Sequence, residues 1–365
     1  VQKKTPRILM VRLSAIGDVV NTLPSLTALR RCLPSAYIAW LVEDKAASVL
    51  EGHPLLDEVF VFERKRLARS LKTPSGWSQA ISRILGLQRR LRRARFDLLL
   101  DFHGNLKSGL LGCLADAAIR VGFDRKNSRE GNFLFNDHHV SLPRQRIHRV
   151  EKHLALLRAL GVRTTEASVA LNVPPSGREF ASAYLRCIGH GSGPLVILHP
   201  GASAFGAHKR WPLEHYAELA DRLVRQASAR VVVTHGPGEL DLVCSIARQC
   251  ASEVTLPETP SLQHLIGLIE KASVFVSADT GPMHLAAALK VPVVALFGPK
   301  DPVIYGPYGT ASRILMAEVD CRPCGGRTCD DPVCMRSISP GRVFDAVLDL
   351  LASERRASSE PGDPR

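Results

Sequence analysis

The stretch RILMVRLSAIGDVVNTLP, residues 7–24, decides how the chain is read. Residues 7–13 are nearly all apolar, the pattern of a strand buried on both faces. They run into Ser14, Ala15, Ile16 and Gly17, small residues apart from Ile16. Gly17 allows a tight turn, and short side chains let a ligand approach the backbone. Asp18 then opens a helical pattern reaching residue 33, interrupted by Pro24. A strand feeding a helix through a small-residue corner places Asp18 at the strand's carboxyl end. There an aspartate either caps the helix or acts as a general base.

The same strand–helix alternation extends outward. Further strands are predicted at 37–42, 59–62 and 96–102, and helices at 81–95, 109–118 and 150–160. This spacing requires parallel strands with helical crossovers, a doubly wound α/β domain over residues 1–175. Pro, Gly and Ser mark a connection over 176–194, containing one helix at 178–188. A second series follows, with strands at 195–199, 231–234, 274–277 and 293–297. Its helices are expected at 213–226, 239–249, 262–269, 282–289 and 340–352. The second domain is therefore 195–352, and the polar tail 353–365 reads as disordered. Two Rossmann-like domains facing a cleft are expected to bind ligands at strand carboxyl ends.

With 365 residues, 45% hydrophobic and 23% charged, the chain is neither collagen-like, coiled coil nor wholly disordered. No apolar run is long enough for a transmembrane helix. Lys3 and Lys4 before an apolar run resemble a signal peptide, but Arg12 interrupts it, so the reading is a cytoplasmic protein. The net charge of +13 is uneven. Residues 1–175 hold 29 Lys and Arg against 15 Asp and Glu, and the rest hold 19 against 20. Arg83, Arg89, Arg90, Arg92, Arg93 and Arg95 belong to one predicted helix. Such a helix is either a solvated face or a surface for anionic lipid headgroups. Nucleic acid is disfavoured, since no aromatic platform accompanies the charge and aromatics are 5% of the chain.

Three strand-to-helix corners of the second half carry chemistry. HPGASAFGAHKRWP (199–212) sets Gly201 and Ser203 beside Lys209 and Arg210, a combination suited to phosphate oxygens. SADTGPMHLAAAL (277–289) puts Asp279, Thr280 and Gly281 before a helix with Pro282 in its first turn, and His284 follows. Its free N–H groups suit a diphosphate. THGPGELDL (234–242) places Glu239 where a carboxylate either accepts ribose hydroxyls or caps a helix. A separate cluster, CRPCGGRTCDDPVC, spaces Cys321, Cys324, Cys329 and Cys334 as C-x2-C-x4-C-x4-C. A structural Zn or Fe site, a partial disulfide and free thiols are all compatible with it.

Taken together, ILMVRLSAIGDVVNTLPSLTALRRCLP (8–34), FDLLLDFHGNLKSG (96–109), HPGAS…KRWP, DTGPMHLAAAL and the Cys-rich stretch ending CMRSI resemble the ADP-heptose:lipopolysaccharide heptosyltransferases, glycosyltransferase family nine. The opening segment leans toward members adding the first heptose. The resemblance covers about residues 7–347 and implies a GT-B architecture, with acceptor on the first domain and nucleotide sugar on the second. It implies inverting transfer of L-glycero-D-manno-heptose from ADP-heptose to Kdo–lipid A, without a catalytic metal, at the inner face of the cytoplasmic membrane. By this resemblance Asp18 is the base and Lys209 stabilises the leaving group. Gly201, Ser203, Lys209, Glu239, Asp279, Thr280, Gly281 and His284 bind the donor. Ser14, Gly17, His103 and Lys107 lie on the acceptor side. AFGAH (204–208) departs from a shorter polar stretch in some members, so no role is carried to it. The competing expectations are a relative with another acceptor, such as another core position or a protein, and a non-catalytic basic adaptor.

Overall fold

The computed structural model describes residues 5–142, 146–165, 168–169, 171–189, 193–202, 204–324 and 328–359. The chain divides into two units, Val1–Asn172 and Val173–Arg365. Among the described residues no helix is long and apolar enough to cross a membrane.

The first unit runs β1 (Arg7–Val11), α1 (Ile16–Val20), α2 (Leu23–Cys32), β2 (Tyr37–Glu43), β3 (Glu58–Phe62), α3 (Arg64–Ser70), α4 (Gly76–Ala94), β4 (Leu98–Asp101), α5 (Leu106–Cys113), β5 (Ile119–Phe123), β6 (His138–Val140) and α6 (Arg149–Arg158). All its strands pair in parallel, in the order β3-β2-β1-β4-β5-β6. β1 is central, which explains its unbroken apolar run. Leu9 and Val11 of β1 pack with Leu41, Phe60, Leu87, Leu91 and Leu99 in one core cluster. Val11 is in register with both Leu41 and Asp101, so β1 and β4 end level while β2 runs on to Glu43. The strand order reverses between β1 and β4. The corners after these two strands, carrying Asp18 and His103, therefore flank the position where α/β sheets receive ligands.

The helix expected over 18–33 is two helices. Pro24 stands in the first turn of α2, where its missing N–H costs no hydrogen bond, and Thr22 holds the N-cap position with its hydroxyl donating back to the Asp18 carbonyl oxygen at 2.8 Å. The helix expected from 109 begins at Leu106, because the Asn105 side chain accepts the Ser108 N–H at 3.0 Å.

The second unit runs α7 (Pro175–Cys187), β7 (Leu195–His199), α8 (Leu213–Ala227), β8 (Arg230–Val233), α9 (Leu240–Gln249), α10 (Leu262–Glu270), β9 (Val274–Ala278), α11 (Gly281–Ala288), β10 (Val293–Leu296), α12 (Pro302–Tyr305), β11 (Ser312–Leu315), α13 (Val333–Arg336) and α14 (Pro340–Ser359). Its parallel sheet has the order β11-β10-β9-β7-β8. The direction reverses at β7, so the corners after β8, β7 and β9 are neighbours. α8, α9 and α14 cover the sheet with Trp211, Tyr216, Val243 and Val347 among the buried side chains.

The helix expected at 178–188 within the predicted connection is α7, and it packs on α10. At their crossing a Cβ on Gly177 would come within 2.4 Å of the Gln263 carbonyl oxygen, and one on Gly267 within 2.0 Å of that of Gly177. Arg178 adds an ion pair to Glu270 at 2.9 Å. α14 continues to Ser359, well into the predicted disordered tail. β5, β6 and β11 were not legible as strands. β6 and β11 are edge strands of three and four residues with largely uncovered side chains.

Candidate active site

In the first unit the corner after β1 is built around an ion pair. Arg12 is 5% exposed, and its Nη2 lies 2.7 Å from Asp18 Oδ2. Its Nη1 donates to the Phe102 carbonyl oxygen at 2.8 Å, tying the ends of β1 and β4 together. Asp18 sits in the first turn of α1 with its side chain 31% exposed. The Ala15 N–H points at the same Oδ2 from 3.4 Å. Partial burial opposes ionisation of Asp18, but Arg12, Arg149 and His153 outweigh it and hold the carboxyl far below its ordinary range. Asp18 therefore caps its helix only weakly and stays ionised. Ser14 is half-buried beside it, and Gly17 is buried within α1.

The corner after β4 is pinned by Asp101, which sequence reading assigned only to a strand. Its buried carboxylate accepts from the His103 and Gly104 N–H groups at 2.9 and 3.0 Å, from Ser108 Oγ at 2.8 Å and from Asn132 Nδ2 at 2.7 Å. Burial raises its pKa against these four bonds. The loop carrying His103 and Lys107 is thus fixed by a fully satisfied polar knot. The His103 imidazole accepts the Leu13 N–H at 3.3 Å through Nδ1. Burial and Arg12 push its pKa down to about 3, so the ring is neutral. Lys107 is already ion-paired. Its ammonium pairs with the buried Glu43, which Arg64 also approaches at 3.7 Å.

α6 supplies cations that sequence reading missed. Lys152 Nζ donates to the Asn127 carbonyl oxygen at 2.8 Å and stands 4.3 Å over the Phe123 ring. Burial, then Arg149, Arg12 and Arg129, lower its pKa to about 7. The sequence signal was HRVEKH, residues 148–153, a basic start to a helix that follows an unrecognised strand. Positive groups thus crowd this corner, with Asp18 as the counter-charge.

In the second unit the residues expected to bind a donor converge from three neighbouring strand ends. Glu239, after β8, accepts the Ala202 N–H at 2.9 Å through Oε1 and the Gly236 N–H at 2.9 Å through Oε2. Arg210 Nη2 adds a 3.1 Å contact to Oε1. A Cβ on Gly201 would lie 2.1 Å from Glu239 Oε2, so a larger residue there would displace the Glu239 carboxylate. Three of the carboxylate's four lone-pair positions are filled by protein donors. Lys209, after β7, lies 2.6 Å from Asp279 Oδ2, after β9. His284 Nε2 is 3.9 Å from Asp279 Oδ1. Thr280 stands at the N-cap position of α11 without a side-chain cap bond, and its Oγ1 is buried with no hydrogen-bond partner among the described residues. Gly281 and Pro282 form the first turn of α11 beside it. Ser203 lies outside the described residues.

The four cysteines expected as a metal site, Cys321, Cys324, Cys329 and Cys334, are not gathered round one point among the described residues. Among the described residues no group of three or more His, Cys, Asp or Glu side chains is placed to hold a metal ion. Cys334 is turned into the core on α13, close enough to Gly298 that a Cβ there would lie 3.1 Å from its Sγ. Cys321 and Cys329 are exposed. Burial raises the Cys334 thiol above its ordinary value.

Two doubly wound parallel sheets, each with its polar residues gathered at strand carboxyl ends, are the parts of a GT-B glycosyltransferase. The fold matches solved members of that class. The crystal structure of the glycosyl transferase family 9 from Veillonella parvula superposes with a TM-score of 0.81 at 25% identity, over 97% of this chain and 99% of that one. That of E. coli heptosyltransferase WaaC with ADP gives 0.73 at 23% identity, over 94% and 99%. The chain belongs to glycosyltransferase family 9, the heptosyltransferases, whose sequence signature matches residues 84–333. It is 28% identical to lipopolysaccharide heptosyltransferase 1 of Pseudomonas aeruginosa, over 94% of this chain and 98% of that protein.

Proposed function

We propose that this chain transfers L-glycero-D-manno-heptose from ADP-heptose to the Kdo–lipid A inner core, with inversion at the anomeric carbon. The observation that carries the reading is the Asp18 carboxylate, held 2.7 Å from Arg12 at the carboxyl end of β1 among further cations. The likeness to lipopolysaccharide heptosyltransferase 1 over nearly the whole chain supports the choice of acceptor.

In this scheme Asp18 accepts the proton of the Kdo hydroxyl as its oxygen attacks the face opposite the leaving group. So weak a base does not ionise the hydroxyl beforehand. It takes the proton late, once bonding to an oxocarbenium-like carbon has made the hydroxyl strongly acidic. Arg149 and Lys152 receive the acceptor's carboxylate. Negative charge grows on the departing ADP, where Lys209, the Thr280 hydroxyl and the N–H groups opening α11 stabilise it. Asp279 orients Lys209 and accepts from heptose hydroxyls. The remaining lone pair of Glu239 accepts from the ribose. These groups supply the positive charge that a metal would otherwise provide. The reaction belongs to the cytoplasmic side of the membrane, where a nucleotide-sugar donor meets a lipid-borne acceptor.

The test is product formation from ADP-heptose and Kdo–lipid A by mass spectrometry. Asp18→Asn should lower kcat by about 10²–10⁴-fold, while calorimetric ADP affinity stays within about twofold. Undiminished turnover by this variant would remove the base assignment. Turnover only of an acceptor already carrying heptose would move the acceptor one sugar outward.

A further inference from the structure

We propose that the α3–α4 hairpin is the surface by which this chain seats itself on an anionic lipid bilayer, with Trp77, Ile81 and Leu85 entering the interface. Residues 64–96, RKRLARSLKTPSGWSQAISRILGLQRRLRRARF, contain eleven Lys and Arg and no Asp or Glu. Four of the arginines are internally compensated: Arg64 by Glu43, Arg66 and Arg83 by Glu63, and Arg90 by Glu58. Lys65, Arg69, Lys72, Arg89, Arg92, Arg93 and Arg95 have no ion-pair partner among the described residues.

An exposed apolar stripe lies within this positive field. α4 buries Ala80, Leu87, Leu91 and Ala94 toward the sheet. Its outward side, read every fourth residue, is Trp77, Ile81, Leu85, Arg89 and Arg93. Trp77 is 59% exposed, Ile81 57% and Leu85 41%, and Leu71 in the preceding turn is 54% exposed. The hairpin holds them rigidly. The Trp77 indole N–H donates to the Leu71 carbonyl oxygen at 3.3 Å. A Cβ on Gly76 would lie 2.1 Å from the Ser70 carbonyl oxygen, so the two helices meet backbone to backbone.

The charge selects the occupant. A second copy of the chain would bring the same uncompensated cations against these and be repelled. An anionic bilayer answers both features at once, with headgroups for the cations and an interface for a tryptophan flanked by aliphatic side chains. The placement also suits the substrate. α3 follows directly from the carboxyl end of β3, and Arg64 reaches Glu43, the partner of Lys107. The bilayer contact therefore begins on the sheet edge that carries Asp18 and His103. For its purpose, delivery of a lipid-borne acceptor, the proposal rests on the function proposed above.

Intrinsic fluorescence tests it directly, because Trp40 and Trp211, the other two tryptophans, are fully buried and any change reports Trp77. Vesicles of phosphatidylethanolamine with 30% phosphatidylglycerol should shift the emission to the blue, and brominated acyl chains should quench it. Vesicles of phosphatidylcholine alone should do neither. Trp77→Ser/Ile81→Ser/Leu85→Ser changes only exposed positions and should weaken flotation with anionic vesicles by about tenfold or more. Lys65→Glu/Arg69→Glu/Lys72→Glu should weaken it equally and independently of the apolar stripe. The triple serine variant should keep wild-type turnover of a deacylated, water-soluble acceptor and raise KM only for the acceptor in vesicles. Vesicle binding without a change in emission, undiminished binding by both variants, or a stripe-dependent dimer in sedimentation would overturn the proposal. If no acceptor is turned over, the proposed function fails, while vesicle binding still decides this surface.

Discussion

Asp18 and Arg12 form their ion pair inside one eighteen-residue strand–helix corner, yet only the fold shows that Arg12 is buried and aimed at the carboxylate. Because Arg12 and Arg149 hold the Asp18 pKa low, the base is competent above that value and is lost only as pH falls through it. The wild-type kcat/KM profile should therefore show no acid limb from Asp18 in the weakly acidic range. Arg12→Gln keeps a donor for Phe102 but removes the charge, and should move an acid limb upward by about one pH unit or more. A limb at the same pH in both proteins would contradict this assignment. Lys152 titrates in the opposite sense. Its ammonium is present below about pH 7 and lost above it, so acceptor KM should rise on the alkaline side. Lys152→Arg, charged throughout, should flatten that rise in KM measured from pH 6 to 9. The sequence offered no reason to single out Lys152, because its low pKa comes first from burial and then from Arg149, Arg12 and Arg129, contributed by separate segments.

At the scale of elements, apolar period and corner chemistry were enough to place most strands and helices. The helix at 178–188 was legible in this way, but its packing partner was not: Gly177 and Gly267 let α7 press against α10. Gly267→Ala must push against backbone rather than a mobile side chain and should cost roughly 1–3 kcal/mol, a fall in Tm of several degrees by calorimetry. Gly86 is the control. It lies within α4, where an added Cβ would meet nothing within 4 Å, and Gly86→Ala should stabilise by about 0.5–1 kcal/mol. The cysteine spacing left metal, disulfide and free thiols open, and packing adds what spacing could not: Ile338 and Met335 belong to the same buried cluster as Cys334, whose helix turns the thiol inward, while Cys321 and Cys329 are exposed.

At the scale of the molecule, the excess charge is a property of one unit. Residues 1–172 contain the 29 cations and 15 carboxylates counted for the N-terminal part, and the second unit is close to neutral. Screening should therefore act on one substrate only. Raising salt from about 0.05 to 0.5 M shortens the Debye length to a few ångströms. KM for acceptor in anionic vesicles should then rise several-fold, while the ADP dissociation constant, set by close contacts, changes little. Equal salt sensitivity for both ligands would show that the first unit's charge does not serve the acceptor. The sequence by itself determined the alternation of strands and helices, the uneven charge and the chemical identity of the corners at Asp18, Lys209, Glu239 and Asp279, because these follow from neighbours in the chain. Only the tertiary structure decided which charges are already committed. Lys107 meets Glu43 in the first unit, and Lys209 meets Asp279 and Glu239 meets Ala202 in the second, only because strand order within each sheet brings corners distant in sequence together.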